Sequence, residues 1–148
     1  METWRQETFY PSVVAAGLLA GLRSFSAPAA VSSALAGQAE LAAQVAPALR
    51  LLAAGEMVAD KLPFMPDRTS PPILASRVLL GAGAGVVVAL AYGRSWVAAA
   101  AIAGAAAAAG SYAGLALRRA LGERLGLPDQ LVALAEDAAV IGVGRALA

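Results

Sequence analysis

The chain contains no cysteine and no histidine. Their absence removes disulfides, thiol nucleophiles, imidazole bases and the usual ligands of zinc, copper and haem. A bound cation would therefore be a hard one held by oxygen, such as magnesium, calcium, manganese or sodium, or else a proton. Charged residues make up only 14% of the chain and the net charge is +1, so there is no basic patch to hold a nucleic acid. There is no Ser-His-Asp set and no Gly-rich phosphate loop ending in Lys, and the chain is not expected to be an enzyme. With aromatics at 5%, any aromatic belt at a membrane interface would be thin.

What is abundant is apolar and small. Hydrophobic residues account for 59% of the 148 positions and the mean hydropathy is +0.69, which is not a soluble profile. Much of it comes from Ala and Gly, which suit close helix packing in a bilayer. Five apolar stretches approach the roughly 20 residues needed to cross hydrocarbon: Pro11 to Leu35, Leu41 to Leu62, Pro72 to Tyr92, Ser95 to Leu117, and Asp129 to Leu147. The expected fold is all-α, a single polytopic membrane helix bundle over 1–148 with about five spans, some broken or re-entrant. Gly21, Arg23 and Pro28 predict a kink or unwinding in the first stretch, and Pro47 and Arg50 predict that the second is two short helices or a re-entrant piece. Between the second and third stretches, Pro63, Pro66, Pro71 and Pro72 predict a rigid non-helical linker.

Val13 to Leu22 followed by Ser26-Ala-Pro-Ala-Ala has the outline of a signal-peptide core and cleavage site. Against that, Glu2 and Glu7 offset Arg5, and Arg23 interrupts the apolar run, so a retained helix is the better reading. Counted over five spans, Arg5, Lys61, Arg68, Arg118, Arg119 and Arg124 share one side, with Arg94 and Arg145 on the other. That bias predicts a cytoplasmic N-terminus. Five short spans make a thin bundle, so a homo-oligomer in the lipid bilayer is expected.

The stretches also echo one another. Gly17 precedes Ser24-Phe25 as Gly104 precedes Ser111-Tyr112, and Leu51-x4-Glu56 matches Leu131-x4-Glu136. The echo predicts degenerate half-repeats, 11–63 and 95–148, in opposite orientation around a central span at 72–92.

Within so apolar a chain, the acidic residues near the helix ends carry the functional signal. An ionised Asp in a lipid-facing segment costs roughly 2.5 to 3.5 kcal/mol on insertion scales, so such groups face a protein interior, a partner or a water-filled path. Glu56 and Asp60 share a helix face at i and i+4, whereas adjacent Glu136 and Asp137 diverge by about 100°, which favours Glu136 as the inward one. Carboxylates gathered in a low-dielectric bundle need a shared proton, a bound cation or a basic partner. The candidate site is therefore Glu56, Asp60, Glu136 and Asp137, with Glu56, Asp60 and Glu136 as ligands of a hard cation. Arg23 and Ser24 lie where an unwound segment would offer hydroxyls and backbone N–H groups to an anion.

Alternatives stay open for each group. Glu56 pairing with Arg23 or Arg77, and Asp60 with Lys61, would only fix helix register, while Arg77 would otherwise snorkel to the surface. The leading expectation is a transporter or channel-like protein for a small ion or solute. A non-transporting scaffold competes with it, as does a lipid-directed enzyme using Asp60, Asp67 and Arg68.

The quoted residues also carry a family likeness. Gly21-Leu-Arg-Ser-Phe-Ser-Ala-Pro-Ala, Gly55-Glu-Met-Val-Ala-Asp-Lys-Leu-Pro, Pro66-Asp-Arg-Thr, Ser76-Arg77 and Ala135-Glu-Asp-Ala-Ala resemble the bacterial integral-membrane family catalogued as domain of unknown function 4126. The resemblance covers most of the chain and implies a multi-pass membrane protein without an assigned activity. A weaker analogy is to inverted-repeat cation exchangers with a Glu-x-Gly-Asp-Lys-Thr motif. Here Glu56 and Asp60 are four residues apart, and the Gly and Thr of that motif are missing.

Overall fold

The computed structural model describes residues 2–59 and 70–126, together with 131, 134, 135, 138, 139 and 142. Among these residues the protein is all-α, with helices α1 (Glu2–Leu22), α2 (Ser26–Ala34), α3 (Glu40–Ala59), α4 (Pro71–Ala91) and α5 (Trp96–Leu125). Two of them, α4 and α5, are long and apolar enough to cross a membrane.

These two are the most readable in the sequence, because no proline falls inside them beyond the first turn. Pro71 and Pro72 occupy the first turn of α4, where the missing N–H groups have no helical partner to lose. At the other end of the pair, α5 stops at Gly126, whose φ of 60° places it in the left-handed conformation that closes a helix.

The packed unit of the fold is α1, α4 and α5. Along its length α1 runs parallel to α5, with Gly17 against Ala103, Gly21 against Ala107, and Leu18 and Leu22 against Gly110 and Gly114. A Cβ on Gly21 would collide with the backbone oxygen of Ala107, so the two helix axes approach only because no side chain stands between them. In the opposite direction α4 lies on α5, Gly81 meeting Ala107 while Gly85 meets Ala99 and Ala103.

The first predicted span is two helices. In a continuous helix the Pro28 ring would clash with the carbonyl of Ser24 and would lack the N–H to bond it. The chain therefore ends α1 at Leu22, turns through Arg23, Ser24 and Phe25, and restarts at Ser26, leaving Pro28 in the first turn of α2. Instead of continuing onward, α2 folds back beside α1. Ala27 packs with Leu19 and Ala20, whereas Val31 and Leu35 belong to the cluster that holds Phe9 and Val13. A turn at residues 35–38 then reverses the chain into α3, which packs on α2 through buried Ala42 and Ala46.

Three other expectations change. Pro47 does not divide the second stretch, and α1 begins nine residues before Pro11; each proline removes one backbone donor without ending its helix. The first and fourth stretches run parallel where the echo predicts opposite directions, because the α1–α2 reversal adds a leg to the path. The same leg separates Arg5 from Arg118 and Arg119. The start of α1 and Arg94 share one end, while the last turn of α3, the first turn of α4 and Arg118-Arg119 share the other.

Candidate functional site

The three-residue turn between α1 and α2 exposes backbone polar groups of both signs: the last carbonyls of α1 and the first N–H groups of α2. Each set is met by a charged side chain from a different helix. From α3, Glu56 reaches across the N-terminus of α2. Its Oε1 accepts the N–H of Ser24 at 2.8 Å, and its Oε2 accepts the N–H of Phe25 at 2.8 Å and that of Ser26 at 3.4 Å. From α4, Arg77 Nη1 donates to the carbonyl oxygen of Gly21 and, at 3.4 Å, to that of Leu22. Ser111 of α5 brings its hydroxyl within 3.1 Å of the same Gly21 oxygen and 2.9 Å of its own helix's Ala107 oxygen.

The signs are matched to the helix ends. A carboxylate sits at the positive N-terminus of α2 and a guanidinium at the negative C-terminus of α1, so each charge is favoured by the local dipole as well as by its hydrogen bonds. Both arginines of the site are buried, Arg23 being 3% exposed and Arg77 5%. Ser24 is buried with them, and what it contributes to Glu56 is its main-chain N–H.

Compared with the sequence-based site, Glu56, Arg23 and Ser24 come together at one turn. Asp60, Glu136 and Asp137 lie outside the described residues. The unwound segment does present N–H groups to an anion, and that anion is the Glu56 carboxylate itself. Arg77 does not snorkel: it turns inward to the α1 carbonyls. Neither Arg77 nor Ser111 is among the site residues expected from the sequence. A serine within the Ala-rich α5 and a charge six residues inside α4 were the available signals, but the carbonyl oxygens they reach carry no mark in a sequence.

An ionised carboxylate has about four acceptor positions, and the three N–H groups fill three of them. One position on Oε1 is open among the described residues, enough for a proton or one further donor. Among the described residues, no three His, Cys, Asp or Glu side chains gather in a way that could hold a metal ion. A cation ligated by Glu56 would thus need the second oxygen set from Asp60 or from the C-terminal segment, or would have to displace the α2 N–H groups.

Compared with known proteins, the chain matches no family model, no curated protein and no solved structure.

Proposed function

We propose that the chain is a small multi-pass membrane protein of transporter or channel type, with a polar centre at the α1–α2 turn in which Glu56 is the carboxylate that exchanges a proton or meets a hard cation. The observation that carries this reading is the depth of the turn. Trp96 to Leu117 of α5 measures about 33 Å at 1.5 Å per residue, close to the thickness of bilayer hydrocarbon. Tyr10, Tyr92 and Trp96 gather near one end and Arg118-Arg119 mark the other, as interface residues do. On that scale Ser111, and the turn it contacts, lies about 9 Å inside the basic end. Reversal of the chain at such depth, with buried charges on the freed backbone, belongs to proteins that keep a polar path in the membrane.

Exposure supports the membrane setting. Only 39% of the apolar window of α4 and 33% of that of α5 is buried, and outward-facing side chains such as Leu79 are 72% exposed, where a soluble core helix would be mostly covered. The family resemblance points to the same class. With the extra leg of α2, Arg118 and Arg119 fall at the end shared by the last turn of α3 and the first turn of α4, and Arg94 falls at the end where α1 begins. The orientation this favours has the N-terminus outside the cytoplasm.

A second reading has its own support. Because Glu56 and Arg77 are both engaged by backbone groups, they would serve equally well as fixed braces of a non-transporting membrane scaffold. Purified protein in liposomes separates the two. Proton or cation flux that is present in the wild type and lost in a folded Glu56→Gln variant supports transport. Flux indistinguishable between wild type, Glu56→Gln and Glu136→Gln removes it and leaves the scaffold.

A further inference from the structure

We propose that the crevice between α3 and α4 binds a single acyl chain of a membrane phospholipid, a site that rests on the membrane setting and not on ion movement at Glu56. The crevice encloses about 300 Å³, with Leu41, Val45 and Leu49 of α3 on one wall and Leu79, Gly83 and Val87 of α4 on the other. α3 packs on α2 and meets α4 across this space. Among the described residues that line it there is no charge and no aromatic ring, and Ser32 of α2, 1% exposed, is the one polar residue. Such walls hold hydrocarbon and offer nothing to an ion or a headgroup.

Size decides the occupant. Leu41 to Leu49 and Leu79 to Val87 each cover about 12 Å at 1.5 Å per residue, so the volume is that of a channel roughly 25 Å² in section. A helix of a second copy, about 10–12 Å across with its side chains, does not enter such a channel. A linear hydrocarbon chain does: carbons in van der Waals contact lie only about 4 Å apart. At close to the roughly 30 Å³ of a water molecule for each methylene, about ten of them fill the space.

Depth and access agree with a chain rather than a headgroup. Leu79 to Val87 form the middle of α4, one of the two helices long and apolar enough to cross a membrane, so the crevice lies at the level of acyl chains. Its rim is open there, Leu79 and Gly83 both being exposed. Water has no polar partners in an apolar cleft, and an empty cleft forfeits the contacts of its walls. Gly83 keeps the crevice deep. Gly81 and Gly85 press against α5, whereas a Cβ on Gly83 would meet nothing within 4 Å. Helix packing thus gives no reason for glycine at a mid-helix position where alanine is favoured, but a missing side chain lets a hydrocarbon chain lie against the α4 backbone.

The test is photolabelling of the full chain in phosphatidylcholine vesicles that contain a phosphatidylcholine with a diazirine at mid-chain, the adducts being located by peptide mass spectrometry. Val45 and Leu49, half-buried in the crevice wall, should carry several-fold more adduct than Val14 and Leu18, which are more exposed on the open face of α1. Gly83→Leu and, from the opposite wall, Val45→Phe fill the space; either should remove the label at Leu49 and leave Val14 and Leu18 unchanged. Gly83→Ala, which adds one methyl group, should label as wild type. Label spread evenly over Val45, Leu49, Val14 and Leu18, or a Leu49 label that survives the filling variants, overturns the site. Label that enters the crevice only on dilution of the protein into excess lipid also overturns it and gives the crevice to a second copy. If one filling variant does not fold the other decides, and if neither folds the wild-type distribution does. Label at Val14 and Leu18 without label in the crevice overturns the acyl-chain site alone, whereas no label at any of the four removes the membrane setting and the transport reading with it.

Discussion

Glu56 and Ser24 are joined across 32 residues by a carboxylate oxygen and a main-chain N–H 2.8 Å apart. The bond ties the end of α3 to the turn between α1 and α2, and Phe25 and Ser26 add their N–H groups to the same side chain. It acts as an N-cap supplied from another helix, because Phe25 at the cap position has no side-chain oxygen to offer.

Glu56→Gln should therefore destabilise the protein even where no ion is bound. The amide keeps one acceptor but turns an NH2 group toward backbone donors, and hydrogen bonds to a charged acceptor contribute about 1.5–3 kcal/mol. Thermal unfolding in detergent should show a lower Tm for Glu56→Gln and a larger drop for Glu56→Ala. Equal Tm values for wild type and Glu56→Ala would mean that the α2 N–H groups find other partners.

Arg77 should be as hard to replace. Arg77→Met leaves the Gly21 and Leu22 carbonyls without their guanidinium donor, a loss of about 1–3 kcal/mol. Arg77→Lys should recover only part of that, since the rigid guanidinium plane holds Nη1 within reach of both oxygens, whereas an ammonium is carried on a flexible stem and is more strongly hydrated. Full recovery by lysine in the same unfolding assay would show that charge alone matters at the end of α1.

The distance between what was legible and what was not is clearest at these two residues. α4 and most of α5 could be read directly, because apolar runs without internal proline, opened by Pro71-Pro72 and by Ser95-Trp96, leave little competing structure; α5 nonetheless runs on to Leu125, past the expected end at Leu117. Gly21, Arg23 and Pro28 announced a break. Sequence does not distinguish a kink from a full reversal, since both free the same backbone groups, and the choice is made by long-range packing of Val31 and Leu35 against the α1 side. Glu56 stood out as a charge among apolar residues, but its partners are main-chain atoms, so residue identities pointed to arginine instead. One unseen reversal also changes which basic residues share an end, Arg5 falling with Arg94 and not with Arg118 and Arg119.

Two glycine substitutions should have opposite signs. Gly21→Ala drives a methyl group into the Ala107 carbonyl of a helix that cannot move away without opening the α1–α5 contact, an overpacking penalty of about 1–3 kcal/mol. Gly83→Ala, in the middle of α4 with nothing within 4 Å of its Cβ position, should be neutral or stabilising by up to about 1 kcal/mol through helix propensity. Unfolding midpoints of the two variants compare them directly. A stable Gly21→Ala protein would contradict the close approach of α1 and α5.

Topology offers a check on the extra reversal that does not depend on activity. Ser95 precedes α5 at the Arg94 end, and Glu123 lies near the opposite end of the same helix, both exposed. In a chain without cysteine, Ser95→Cys and Glu123→Cys can each be labelled in intact cells by a membrane-impermeant maleimide. Because the start of α1 shares the Ser95 end and the basic residues cluster at the Glu123 end, Ser95→Cys should react from outside, together with a tag on the N-terminus. Glu123→Cys should react only after lysis. Labelling of Glu123→Cys alone would invert the orientation, and an N-terminal tag on the opposite side from Ser95 would mean that α2 does not fold back beside α1 in the membrane.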